Sequence, residues 1–397
     1  MKHLYKHLAF LVILFFSAGC LQLQQKELNN LISDICQKYA PDNRIAFFNV
    51  QVKKNGQIAV DGETDIISAY NELDSILKTD HPKVEFNVNL LPSKSLGEHT
   101  WGIITVSVAC LRPVPGNSAE LITQALLGTP VKILKRESNW YLIQTPDSYL
   151  GWTKEGSLSL ITEDEMHRYN HSERIIFTGM AGFCYRSPDE NSQPVSDLVL
   201  GNILEATDVS SGFCKVKFPD GRTGFVKSNE CLPIDKWKES FTHSPKKILE
   251  TAMKFLGLPY LWGGTSSKAV DCSGFTKTVF FMNGIILQRD ASQQVLFGDL
   301  VNTSEGYEKL APADLLFFGT HGTDSTKESV THVGIYIGNG EIIHSPSSSS
   351  RVKINSLIAG SENYSSYLDT IFIRARRILT CVGNPGIEPV FENDFYH

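Results

Sequence analysis

The chain has 397 residues, 42% hydrophobic and 20% charged, with a formal net charge of −6. That length exceeds one ordinary core and suggests about two or three domains, four if some are small. The composition excludes a disordered chain or a membrane bundle. No basic block accompanies the acidic balance, so nucleic acid is not an expected partner.

Residues 1–20 read as a processing segment. Lys2, His3, Lys6 and His7 form a basic start, and Leu8 to Phe16 form an apolar run too short to span a bilayer. Ser17-Ala18-Gly19-Cys20 ends it with small residues and a cysteine. This resembles a bacterial lipoprotein signal, in which Cys20 becomes the lipidated first residue, although Ser17 stands where leucine is usual. An ordinary secretory signal is the alternative. Either exports the protein. The lipoprotein reading leaves it membrane-anchored and facing the periplasm.

Eight cysteines show no CxxC pair and no zinc-ligand spacing. No metal or other cofactor is expected. Beyond Cys20 and Cys272, discussed below, Cys36, Cys110, Cys184, Cys214, Cys231 and Cys381 lack a disulfide framework and are expected to be mostly buried thiols.

Residues 21–100 read as a small α/β module. Leu28, Leu31, Ile32 and Ile35 recur at helical spacing. Two strand-like runs, residues 44–52 and 57–61, flank the turn signal Asn55-Gly56. A second helical pattern runs from Ile66 to Leu77, and residues 84–90 alternate as a half-buried strand does. The order of elements resembles the BON-like fold, and the module holds no candidate chemistry.

Residues 101–162 and 172–235 share a pattern of short strands and turn signals, which argues for two small β-barrels made by duplication. Arg112-Pro113 corresponds to the stretch Cys184 to Pro188, the Trp140 strand to Phe213-Cys214-Lys215-Val216, and Gly151-Trp152 to Gly224-Phe225. Both resemble bacterial SH3-like domains. Trp140, Trp152 and Phe225 are expected in the cores. Tyr149, at a turn, is either core or ligand-facing, and Glu120 is either a ligand contact or a solvated carboxylate. Residues 232–243 read as a charged linker. Ser244-Pro245 then starts a helix, as a cap followed by proline in the first turn. Residues 381–397 read as a tail.

The chemistry-bearing stretch is Tyr260-Leu261-Trp262-Gly263-Gly264 followed by Asp271-Cys272-Ser273-Gly274-Phe275. It sets one cysteine where a glycine-rich loop enters a helical pattern. A thiol attacks only as thiolate, which a helix N-terminus and a histidine partner both favour. His332 lies on a strand with Gly334 and Tyr336 on its own face and Val333, Ile335 and Ile337 on the other. Gly338-Asn339-Gly340 turns the chain toward His344. A two-residue loop would send His344 to the opposite face from His332. A three-residue loop sets Gly334 opposite His344, and His332 then lies diagonally within imidazole reach. A Cys272–His332–His344 triad of nucleophile, base and orienter is then available.

Together these motifs resemble the NlpC/p60 family of papain-like cysteine peptidases, over about residues 244–378 and including Ala313 to Phe318. The resemblance implies an α+β peptidase domain at 244–380, with Cys272, His332 and His344 catalytic. It places Tyr260 beside the nucleophile as an oxyanion donor, along with the Cys272 N–H. Trp262, Ser273 and Ala291 would line the substrate site. Two SH3-like domains ahead of such a peptidase resemble the γ-D-glutamyl-L-diamino acid endopeptidases. In that group the first barrel closes one end of the cleft and the substrate, such as L-Ala-γ-D-Glu-diaminopimelate, needs a free N-terminal alanine. Asp271, Asp290 and Glu120 are the carboxylates available for its ammonium, and each has a structural hydrogen bond or solvation as its alternative role. The expectation is a monomeric murein-peptide hydrolase. The rivals are an endopeptidase on intact peptidoglycan, a silent wall-binding lipoprotein, and acyl transfer to an amine.

Overall fold

The computed structural model describes residues 23–55, 57–210, 212–323 and 325–397. The signal segment with Cys20 and the turn residue Gly56 lie outside the described residues. The chain divides between Gly97 and Glu98 into two units.

The first unit runs helix (residues 23–39), strands Phe48–Asn55 and Gln57–Thr64, helix Ile67–Asp80 and strand Glu85–Leu90. The first two strands are antiparallel and the third lies parallel to the second. Leu28, Ile32 and Ile35 of one helix and Ala69, Leu73 and Leu77 of the other close on Val60 and Val88. The first strand starts later than residue 44, because the Asp42 carboxylate takes both the backbone N–H and the guanidinium of Arg44 and turns the chain there.

In the second unit, strands Trp101–Ile104, Pro130–Glu137, Trp140–Gln144, Leu150–Lys154 and Leu158–Ile161 form one sheet, and Val108–Leu111 pairs with Thr123–Leu126. Strands starting at 101, 108, 130, 140, 150 and 158 recur at 174, 181, 203, 213, 223 and 231, a constant offset of 73 residues. The offset holds for these six strands, and the strand at 123 is followed by one at 194, an offset of 71. Trp140 and Trp152 are buried in the first set, while Phe225, the counterpart of Trp152, is only half-buried. Cys184, Cys214, Cys231 and Cys381 are buried thiols, Cys36 is half-buried and Cys110 exposed.

Two expectations are corrected. The charged linker contains a helix, Ile234–Glu239, because Ile234 and Trp237 stand three residues apart on one face. Trp237 is 2% exposed, donates from Nε1 to the Met282 carbonyl at 3.0 Å, and packs on Phe241, Phe281 and Phe391. Residues 381–397 are not a loose tail. Ile387–Pro389 pairs antiparallel with Ile285–Leu287, and Val390, Phe395 and Tyr396 are buried. Phe395 packs edge-on against Trp101, with ring centroids 5.3 Å apart, and Asn393 donates to the Pro146 carbonyl at 3.0 Å. Apolar side chains among the prolines and glycines give this segment surface to bury.

The remainder holds helices Pro245–Met253, Cys272–Phe281 and Ala291–Gln294. Its sheet runs, in spatial order, Asp299–Val301, Phe372–Arg377, Leu315–Thr320, Ser329–Gly338, Glu341–His344 and Lys353–Ser356, antiparallel throughout. Phe275, Val279 and Phe280 pack on Leu315, Phe317, Val333, Ile335 and Ile343 on one face. Leu310, Leu357 and Leu368 cover Leu316, Phe318 and Tyr336 on the other. Among the described residues no helix is long and apolar enough to cross a membrane.

Candidate active site

Cys272 is the first residue of the helix Cys272–Phe281, and Asp271 caps it by accepting the Gly274 N–H at 2.7 Å. A side chain at 274 would meet the Gly264 carbonyl oxygen at 2.0 Å, so Gly274 lets the glycine-rich loop lie against the helix start. The Cys272 N–H, in the first turn, has no intrahelical partner and is available to a developing oxyanion.

Asp271 does more than cap. Its two oxygens also receive Arg289 Nη1 at 3.2 Å, Arg289 Nη2 at 2.5 Å and the Gly263 N–H at 2.9 Å. Ser273 Oγ lies 3.4 Å away and itself accepts from Arg289 Nη1 at 3.0 Å. These donors fill the lone-pair positions of a carboxylate. Asp271 and Ser273 thus brace the helix start through Arg289, which is 1% exposed.

The histidine hairpin forms by a different route than a three-residue loop. Asn339 and Gly340, both with positive φ (53° and 74°), make a two-residue turn between paired Gly338 and Glu341. The register then shifts between Tyr336 and Gly338, leaving Ile337 as a bulge. That extra residue restores the parity, and Gly334 faces His344. His332 Nε2 lies 2.7 Å from His344 Nδ1, and His344 Nε2 lies 3.1 Å from Asn355 Oδ1.

The thiol lies over the residues flanking His332. Sγ is 4.0 Å from the Thr331 carbonyl oxygen, and the N–H groups of Val333 and Ser273 point at it. Desolvation, with the Asp271 charge adding to it, pushes the thiol up to about 12 against those N–H groups and the Arg289 guanidinium. Desolvation, and secondarily His344, holds His332 well below 6.5. Desolvation also lowers His344 to about 4, although its Asn355 hydrogen bond opposes this. The resting pair is therefore a neutral thiol and a neutral imidazole. The helix N-terminus and the histidine, expected to lower the thiol, are outweighed here by desolvation. Tyr260 is half-buried, and desolvation with the charges at Cys272 and Asp271 pushes its phenol up to about 12, which keeps it a neutral donor.

The first barrel forms a wall beside this site. Tyr149 is buried and donates to Asp290 Oδ2 at 3.1 Å. Arg289 Nε donates to Thr123 Oγ1 at 2.8 Å, and the Thr265 N–H to Gln124 Oε1 at 3.0 Å. Gly263 has φ 77°, and a Cβ there would meet the Leu121 carbonyl oxygen at 2.5 Å. Lys277, on the nucleophile helix, pairs with Asp147, whose side chain is fully buried. Burial acts to raise the Asp147 carboxyl, and the adjacent ammonium overrides it and holds the group below its usual range. Asp290 also caps the short helix that Ala291 begins, so Ala291 is buried there. Trp262 is 61% exposed, and Glu120 is exposed on the loop one residue before Leu121.

The structure thus joins His332 to His344, lays the Cys272 thiol against the residues on either side of His332, and sets Tyr149 on Asp290. Glu120 stands on the neighbouring loop. Residues with no local signature complete the site: Arg289, Thr123, Asp147, Lys277 and Asn355. Their partners lie far away in the chain, and only the Arg289-Asp290 pair of charges after an apolar strand gave any hint.

Two family models match the chain: NlpC/P60 family over residues 257–374 and Bacterial SH3 domain over residues 107–159. The γ-D-glutamyl-L-lysine dipeptidyl-peptidase of Bacillus subtilis is 31% identical over 244 residues, 59% of this chain and 75% of that protein. Its namesake from Bacillus cereus is 30% identical over 246 residues, 60% of this chain and 71% of that one. A crystal structure of an NlpC/P60 family protein from Bacillus cereus matches with a TM-score of 0.60 and 26% identity, over 70% of this chain and all of that one. An NlpC/P60 endopeptidase of Photobacterium damselae shares the fold over 88% of this chain and 89% of its own, with a TM-score of 0.52 and 17% identity.

Proposed function

The chain belongs to the NlpC/P60 family of peptidases, and from that premise we propose that it is a cysteine peptidase hydrolysing the γ-D-glutamyl-L-diamino acid bond of murein peptides with a free N-terminal L-alanine. The observation that carries this reading is the wall around Asp290. Two carboxylates, Asp271 and Asp290, flank one guanidinium, Arg289, and Asp290 brings its charge to the Tyr149 hydroxyl of the wall. An ammonium suits that charge, and Glu120 offers a further carboxylate. In this reading the wall closes that end of the cleft to a longer peptide. Asp271, already filled by five donors, holds Arg289 and the helix cap, which leaves Asp290 and Tyr149 to face the alanine. The relatives' names supply the bond.

In the reaction, His332 Nδ1 takes the thiol proton as Sγ attacks the γ-carbonyl carbon of D-glutamate. The Cys272 N–H and the Tyr260 hydroxyl hold the oxyanion. The tetrahedral adduct collapses to a thioester, and the diamino acid leaves as an amine carrying the proton from His332. Water then gives a proton to His332 and attacks the thioester carbon. Sγ departs and regains that proton. The thiol's contact with the Thr331 carbonyl is a resting one, given up when the proton goes to His332.

Mass spectrometry of products from L-Ala-γ-D-Glu-diaminopimelate tests this. Release of L-Ala-γ-D-Glu is expected, with none from Cys272→Ala or His332→Ala; full activity in either variant would end the mechanism. An unchanged rate on N-acetylated peptide would remove the closed-end version, and faster cleavage of intact sacculi would favour an endopeptidase on the wall. Export with a lipid anchor at Cys20 belongs to the same proposal and rests on the basic, apolar and small-residue order of residues 1–20. Fatty-acid labelling that persists in Cys20→Ala would contradict it.

A further inference from the structure

The reaction above gives no role to the buried amide that backs the histidine pair. Asn355 lies on the strand Lys353–Ser356, beside the strand of His344, and is 9% exposed. Its Nδ2 donates to the Asn363 carbonyl at 2.8 Å, while its Oδ1 is 3.1 Å from His344 Nε2. A carbonyl only accepts, so Asn363 decides which end of the amide is Nδ2. Asn363 is held in turn, because its Nδ2 donates to Glu341 Oε1 at 2.9 Å.

The consequence runs back to the base. Oδ1 of Asn355 only accepts, so the proton of neutral His344 must sit on Nε2. His344 Nδ1 is then bare and accepts from His332 Nε2–H across 2.7 Å. His332 is left with a bare Nδ1, the one nitrogen able to take the thiol proton. Desolvation keeps both rings neutral, so each has a defined tautomer.

We propose that Asn355 is a positioning residue that sets the tautomers of His344 and His332 and so makes His332 Nδ1 the general base. It acts through His344 and touches no substrate. The assignment rests on the Cys272–His332 mechanism above.

The test is nitrogen-15 NMR of ring-labelled histidine in the full chain at neutral pH, with kcat and KM on L-Ala-γ-D-Glu-diaminopimelate. Wild-type protein is expected to carry the Nε2–H tautomer at both 332 and 344. Asn355→Leu removes the acceptor, so mixed tautomers are expected, and kcat falls by about 10–100-fold, the scale for losing a group that orients a working histidine, with KM little changed. Asn355→Asp keeps an acceptor and, when protonated, a donor for Asn363, so it restores the Nε2–H signals and most of kcat. An Nδ1–H tautomer at His344 in the wild type overturns the proposal, as does wild-type kcat in Asn355→Leu. Should Asn355→Leu not fold, the wild-type spectrum and Asn355→Asp decide: lost Nε2–H signals in Asn355→Asp count against it. The spectra need no substrate, so correct tautomers without turnover of this peptide would count against the substrate reading and not against Asn355.

Discussion

Burial governs the chemistry at the scale of single residues. Desolvation pushes the Cys272 thiol up to about 12 and holds His332 well below 6.5, so the reactive protonation state is the neutral pair. Falling pH disables the base only on passing the lowered value of His332. Rising pH leaves the thiol protonated far past the ordinary cysteine range. The expected kcat/KM profile is therefore flat through neutrality, with its acid limb displaced below 6.5. An acid limb centred above 6.5 in a kcat/KM titration would contradict the lowered value of His332. The residue types of the proposed triad were legible in the sequence because a nucleophile, a base and an orienter leave few alternatives. Its protonation was not, because desolvation depends on the enclosing side chains, most of them far away in sequence.

Two contacts between elements decide whether that chemistry is assembled. The first is the bulge at Ile337, which carries His344 onto the face of His332. Deleting Ile337 extends the two-residue turn without a bulge and turns His344 to the opposite face. Hydrolysis is expected to fall by about 10³-fold or more, the scale of losing a triad member. Far-ultraviolet circular dichroism on the same sample shows whether the sheet survives. The expected parity was correct, but its source was not: glycine and asparagine mark the turn, while nothing local marks the bulge. The second contact is Lys277 with Asp147, between the nucleophile helix and the first barrel. Lys277→Met strands a buried carboxylate and is expected to cost about 3–5 kcal/mol. Asp147→Leu with Lys277→Met removes both charges and is expected to be the more stable protein, measured by urea unfolding. A double variant less stable than both single ones would contradict this.

Across the whole molecule, the last residues hold the second unit together. Phe395 lies against Trp101 of the first barrel, and Ile387 pairs beside Leu287 of the peptidase region. Phe395→Ala is expected to cost about 3–5 kcal/mol, read as a lower unfolding midpoint in urea. The first unit has its own core from residues 28–88. A chain beginning at Glu98 is expected to keep the kcat and KM of the full protein on the tripeptide; loss of turnover in a folded 98–397 protein would give residues 23–97 a part in catalysis.

Local sequence by itself determined the helix that starts at Cys272, the histidine strand and the short strands of the SH3-like region. These are set by spacing, glycine placement and short-range periodicity, which survive without knowledge of neighbours. Only the tertiary structure decided that Asp271 is saturated by Arg289, that Tyr149 meets Asp290, that Asn355 backs His344, and that the last residues are core. Each of these depends on groups 11 to 247 positions apart in the chain. Such pairings arise from docked faces, and no local pattern records which face will meet which.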